Sequence, residues 1–178
     1  MCRTRLLRVA RIGRALAVLL LTPGFASAQD VTEPALKAAY IYNFTMFTVW
    51  PPGAAPAEQP LVLCVVGDTA VAEALERAVA TRLVAGHSVS VAFLAPGAPQ
   101  RPCHVLYVSG VTGRQAAQLL AGVRDLPVLT ISDLEDFTRL GGIARFFFES
   151  GRLRFSVGLE SARRAHLQIS SRLLSLAK

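Results

Sequence analysis

Three short, largely apolar runs dominate the middle of this chain. LVLCVV stands before Gly67-Asp68, VLYV before Ser109-Gly110, and PVLTI before Ser132-Asp133. Runs of this length closed by turn-forming residues read as strands buried on both faces. Between them, TAVAEALERAVATRL and VTGRQAAQLLAGV read as helices. In the first, Val71, Leu75, Ala78 and Val79 recur at helical spacing, while Glu73, Glu76 and Arg77 lie elsewhere. A further stretch, HSVSVAFL, alternates as a strand at Val89, Val91 and Phe93. Parallel neighbours need a crossover between them, and alternating buried strands and helices supply it.

The end of the chain breaks that pattern. GIARFFFES and GRLRFSVGL read as two strands joined at Glu149-Ser150-Gly151-Arg152, a tight hairpin signal. The expected fold class is therefore α/β. It is a single three-layer domain with a mixed sheet of about six strands, a C-terminal antiparallel hairpin, and helices on both faces. ESARRAHLQISSRLLSLAK closes it as short helical segments.

The first 28 residues stand apart. Five arginines and no acid precede the apolar run Ala15–Leu21, then Pro23-Gly24, then Ala26-Ser27-Ala28. This predicts a secretory signal peptide over 1–28, cleaved after Ala28, and one domain over 29–178. The apolar run falls short of the ~20 residues a spanning helix needs. The full chain has 19 Lys+Arg, 12 Asp+Glu and a net charge of +7; losing five arginines leaves 14 against 12, or +2. The basic character then belongs mostly to the leader and makes no case for nucleic acid.

After cleavage two cysteines remain, Cys64 and Cys103. In an oxidising compartment such a pair is expected as a disulfide, the alternative being two buried thiols. No nucleophile elbow, Walker loop or dinucleotide fingerprint occurs, and His87, His104 and His166 fall in separate elements. No catalytic residue, metal site or cofactor is expected. Asp68 and Asp133 each follow a strand, where ligands often bind in open α/β sheets, but each also stands where a helix cap belongs.

LKAAYIYNFTMFTVWPP, from Leu36 to Pro52, holds five of the 13 aromatic residues and a single charge, Lys37. Thr32-Glu33-Pro34 predicts a helix start, and Trp50-Pro51-Pro52 its end near Val49. Tyr40, Phe44 and Phe47 share a face, and apolar residues spread around much of the rest. A helix apolar nearly all round belongs in a core or an interface. Ligand stacking is the alternative; a bilayer-lying helix needs a richer basic face. In the terminal segment, Gln168, Ser170, Ser171 and Arg172 stand between apolar residues. They serve either as caps for a last helix or as a polar rim for a partner or small anion.

LKAAYIYNFTMFTVWP, LTISDLEDFTRLGGIARFFFESGRLRFSVGLESARRAHLQISSRLLSLA and the cysteine pair together resemble the YfiR-like family, over about Glu33 to Ala177. These are small exported proteins of Gram-negative bacteria. The resemblance implies a non-enzymatic periplasmic regulator that binds and restrains the periplasmic domain of an inner-membrane signalling protein. That partner is a diguanylate cyclase, and the process is cyclic di-GMP signalling and biofilm formation. The alternative is a small-ligand sensor module serving a histidine kinase or an outer-membrane receptor.

The resemblance also implies a homodimer and one family disulfide at Cys64 and Cys103. The family's second pair has no cysteines here, between Gly141 and Glu149. Matching ligand positions are Ser156, Gln168, Ser170 and Ser171, with Arg172 beside them. Aromatic anchors for a partner or dimer interface are expected at Tyr40, Phe44 and Phe47, and at Phe146, Phe147 and Phe148. Since strand side chains alternate, Phe147 points away from Phe146 and Phe148. No membrane insertion is expected once the leader is gone.

Overall fold

The computed structural model describes residues 31–178 apart from 57 and 98–101. The leader expected over 1–28 lies outside the described residues. The first element is helix α1 (Glu33–Met46), whose start follows from its sequence. The Thr32 hydroxyl accepts the Ala35 N–H at 3.4 Å, and Pro34 occupies the first turn.

The helix ends three residues earlier than Trp50-Pro51-Pro52 suggests. Thr48–Val49 form strand β1, paired antiparallel with β9 (Gln168–Ile169) near the far end of the chain. The Thr45 and Thr48 hydroxyls bond back to the carbonyls of Ile41 and Phe44. The Ser170 N–H donates to the Phe47 carbonyl at 2.9 Å. Pairing with β9 thus satisfies backbone groups that a last helical turn would have used.

The main sheet has seven strands in the order β3-β4-β2-β5-β6-β7-β8. β2 (Leu61–Val66), β4 (His87–Leu94), β5 (Val105–Val108), β6 (Leu129–Ser132) and β7 (Ala144–Glu149) run parallel. β8 (Arg152–Val157) is antiparallel to β7 at one edge, and β3 (Leu83–Val84) to β4 at the other. The seventh strand, β3, falls where the second expected helix was read to continue. Ala85 and Gly86, both at positive φ, turn Leu83–Val84 back onto His87-Ser88.

α2 (Thr69–Val79) follows β2, capped by the Asp68 carboxylate, which accepts the Val71 N–H at 3.0 Å. α3 (Gly113–Val123) follows β5 and starts with a capping box of Thr112 and Gln115. Strand alternation divides the core into two layers. Leu61, Leu63, Val65 and Tyr107 face α1 and α2, while Cys64, Val66, Leu106 and Val108 face α3. Two short helices, α4 (Leu159–Arg164) and α5 (Ser171–Leu174), flank β9.

Chain order reverses direction between β2 and β5. There Gly67, at φ +83°, lets the two strand ends close up, because a Cβ would collide with the Ser109 carbonyl. A disulfide joins Cys64 in β2 to Cys103 just before β5, with Cα atoms 5.8 Å apart. Closing a loop of 39 residues stabilises the fold by roughly 4 kcal/mol in the chain-entropy model.

Beside the disulfide, His104 ties the 51–56 loop to the sheet. Its Nδ1 accepts the Val62 N–H at 2.9 Å, so Nε2–H donates to the Ala54 carbonyl at 3.0 Å. That arrangement fixes the neutral tautomer, because a proton on Nδ1 would face an N–H group. Burial pushes the His104 pKa below the usual 6.5, against the hydrogen bond that Nε2–H donates to the Ala54 carbonyl, and His87 adds a little in the lowering direction. A lowered folded-state pKa means the unfolded chain binds more protons. The His104 contribution is therefore present above pH ~6.5 and lost as the pH falls below it. NMR titration of the imidazole is expected to give a pKa under 6.5, with Val62 amide protection weakening as His104 gains its proton; a pKa above 6.5 would contradict this geometry.

Candidate interaction site

The site is built where α1 crosses the β7–β8 hairpin. Ser150 at φ +51° and Gly151 at φ +73° make the two-residue turn that joins the strands. Positive φ at both central positions matches the right-handed twist of a hairpin. Cross-strand pairs put Ala144, Phe146 and Phe148 on one face with Val157, Phe155 and Leu153. That face meets α1. Phe147 lies on the other face, as strand parity requires.

Much of the local aromatic cluster is buried inside the molecule. Phe44 packs edge-on against Phe155 at 4.9 Å and Phe146 at 5.5 Å between ring centroids. Tyr40 meets the same two rings at 6.3 and 5.8 Å, and its hydroxyl donates to the Leu153 carbonyl at 3.1 Å. Phe44 and Phe146 are completely buried, so neither can be the contact anchor expected from sequence. Tyr40 and Phe47 stay half-buried, as does Phe147, with the Arg145 guanidinium 4.8 Å above its ring. Phe148, 48% exposed, stands at the hairpin tip. Of the six aromatic candidates, it offers the most open surface.

Two cavities flank the Tyr40–Leu153 contact. One, of about 310 Å³, runs between α1, β8 and α5, with Phe47, Phe155, Leu173 and Leu176 on its walls. The other, of about 270 Å³, lies at the start of α1 against Phe146, Phe147 and Phe148, with Lys37 and Asp133 on its floor. Ser156 sits on β8, while Gln168, Ser170, Ser171 and Arg172 sit on β9 and around α5. Among the described residues no hydrogen bond joins Ser156 to that group, and none of the five lines either cavity. Ser170 caps α5, its hydroxyl accepting the Arg172 N–H at 3.3 Å.

The polar floor escaped sequence reasoning. Asp133 does not cap the segment after β6; Ser132 does, accepting the Leu134 N–H at 3.1 Å. Asp133 Oδ2 instead accepts from Lys37 Nζ at 2.7 Å, Ser109 Oγ at 2.9 Å and the Tyr107 hydroxyl at 3.2 Å. Lys37, 7% exposed, also pairs with Glu33 at 2.7 Å. Burial opposes the Lys37 charge, but its hydrogen bonds to Asp133 and Glu33 outweigh that and raise the pKa above the ordinary lysine value. Burial, helped by the Asp133 charge, pushes the Tyr107 hydroxyl well above its usual range. The available signal was one lysine in an otherwise apolar helix, since a buried ammonium needs a carboxylate partner.

The YfiR/HmsC-like family profile matches residues 34–178. The chain belongs to the YfiR/HmsC-like family. The match runs from the first turn of α1 through the hairpin to Lys178. No curated protein matches the chain. Among the described residues, no group of three or more His, Cys, Asp or Glu could hold a metal ion, and no helix is long and apolar enough to cross a membrane.

Lys37→Met would leave Asp133 with two neutral donors and no cation. We expect a loss of about 2–3 kcal/mol in urea unfolding, below the full cost of breaking a buried pair because Asp133 is partly open to solvent. A change under about 0.5 kcal/mol, the usual range for surface substitutions, would show that the pair does not tie α1 to the sheet.

Proposed function

We propose that this protein is a non-enzymatic periplasmic regulator. It restrains an inner-membrane signalling protein, a diguanylate cyclase, by binding that protein's periplasmic domain. The carrying observation is family membership over 34–178 together with an aromatic ridge that the fold leaves open at the hairpin tip. Interfaces draw most of their energy from a few buried anchors, among which aromatic and arginine side chains are prominent. Phe148 and Phe147 are the anchors in this reading, with Tyr40 and Phe47 bordering the groove behind them. Export by a cleaved leader, residence in the periplasm and a homodimer belong to the same proposal. The disulfide supports an oxidising compartment.

A second reading is a small-ligand sensor module. The 310 Å³ groove favours it, being at the lower end of ligand-pocket size and apolar on most of its walls.

Phe148→Glu tests the first reading. Because the side chain is half exposed, the substitution should change stability by no more than about 0.5 kcal/mol. In a strain lacking the wild-type gene, cyclic di-GMP should rise; the wild-type copy should lower it again, and the Phe148→Glu copy should not. Full restoration by a folded Phe148→Glu protein would remove the hairpin tip from the interface. Unchanged cyclic di-GMP in the deletion strain would remove the cyclase.

A further inference from the structure

The face of the β7–β8 hairpin turned away from α1 carries Arg145, Phe147 and Glu149 from β7, opposite Ser156, Arg154 and Arg152 of β8. The face thus holds three guanidinium groups and one carboxylate, on which Lys178 also leans, with Nζ 3.3 Å from Glu149. Arg154 Nε lies 3.7 Å from Glu149, an ion pair too long for a hydrogen bond. Arg145 forms no ion pair among the described residues, and its guanidinium rests on the Phe147 ring. The Nε atoms of Arg145 and Arg154 are both buried without a hydrogen-bond partner. Buried donors left unpaired are rare in folded proteins, and crowding like charges on a sheet face is destabilising. Within the fold these arginines are only partly matched: Arg154 has the Glu149 ion pair and Arg145 the Phe147 ring, and both Nε atoms stay without a hydrogen bond.

The register puts Arg145 and Arg154 on a diagonal, roughly 7–8 Å apart at Cβ, with Ser156 directly opposite Arg145. Two guanidinium forks and a hydroxyl at that spacing can converge on one carboxylate, while the phenyl ring of Phe147 supports its carbon stem. We propose that Arg145, Arg154 and Ser156 form a carboxylate-binding site for an acidic side chain, aspartate or glutamate, on the docking segment of the protein partner. This rests on the partner-binding reading above and adds the chemistry that the partner must present. Phe147 lies on the same face as the arginines, and Phe148 follows it at the exposed tip, so a segment passing over the tip can reach both. A second copy meeting this face would set arginines against arginines.

The test is calorimetric titration of the purified protein with acetyl-tetraglutamate amide, with its tetraglutamine counterpart and with inorganic phosphate. The glutamate peptide should bind about tenfold more tightly than the glutamine peptide, as charge-assisted bidentate pairs require. Raising salt from about 20 to about 200 mM should weaken it severalfold. Arg145→Gln and Arg154→Gln should each weaken binding severalfold and together about tenfold, at unchanged thermal midpoint, while Arg77→Gln on α2 should have no effect.

Equal binding of the two peptides, no binding of either, or indifference to the paired substitution would overturn the site. Phosphate binding as tightly as the peptide, with the same sensitivity to the arginines, would overturn the protein carboxylate as occupant. None of these results touches the regulator reading, which the cyclic di-GMP measurement tests separately.

Discussion

The contact of α1 with the β7–β8 hairpin is the constraint on which the rest of the arrangement depends. It joins the first described helix to the last strands of the main sheet, segments more than 90 residues apart in sequence. Tyr40 and Phe44 close over Phe146 and Phe155 in edge-to-face packing, the geometry that aromatic quadrupoles favour. At the start of the helix, the Lys37–Asp133 pair fixes where α1 meets the carboxyl ends of the parallel strands. At its end, β1 pairs with β9 and holds the terminal segment near the same helix. Apolar packing supplies the bulk of the contact, and the ion pair at one end and the strand pair at the other set its register.

The same contact decides what remains for a partner. By drawing Phe44 and Phe146 inward, it buries much of the local aromatic cluster and leaves a narrow ridge outside. The hairpin tip exposes Phe148, while the far face displays arginines. A surface with one greasy edge and one cationic face is more selective than either alone, since burial gives affinity and charge gives orientation.

Much of this was legible in the sequence. The strands, the crossovers and the hairpin follow from apolar runs, helical spacing and the Ser150-Gly151 turn, all local signals. The opposite orientation of Phe147 relative to its neighbours follows from strand parity alone. The short end of α1 was not legible, because Thr48–Val49 become a strand only by meeting Gln168–Ile169 from the far end of the chain. β3 was missed for a related reason: Leu83–Val84 continue a helical pattern, and the turn at Ala85-Gly86 overrides it.

The site was harder to read than the fold. The sequence concentrates aromatic residues in the 36–52 segment and in Phe146–Phe148, but it cannot separate rings that meet each other from rings left for a partner. Asp133 looks like a cap in sequence because it follows a strand, and only the folded chain brings Lys37 beneath it. The central claim is that the hairpin ridge touches the periplasmic region of a membrane cyclase. Its most direct test is a photoreactive phenylalanine analogue at position 148, irradiated in living cells. The account predicts a crosslink to an inner-membrane protein bearing a diguanylate cyclase domain, located in its periplasmic segment. A crosslink only to a second copy of the chain, or to a cytoplasmic protein, would contradict it.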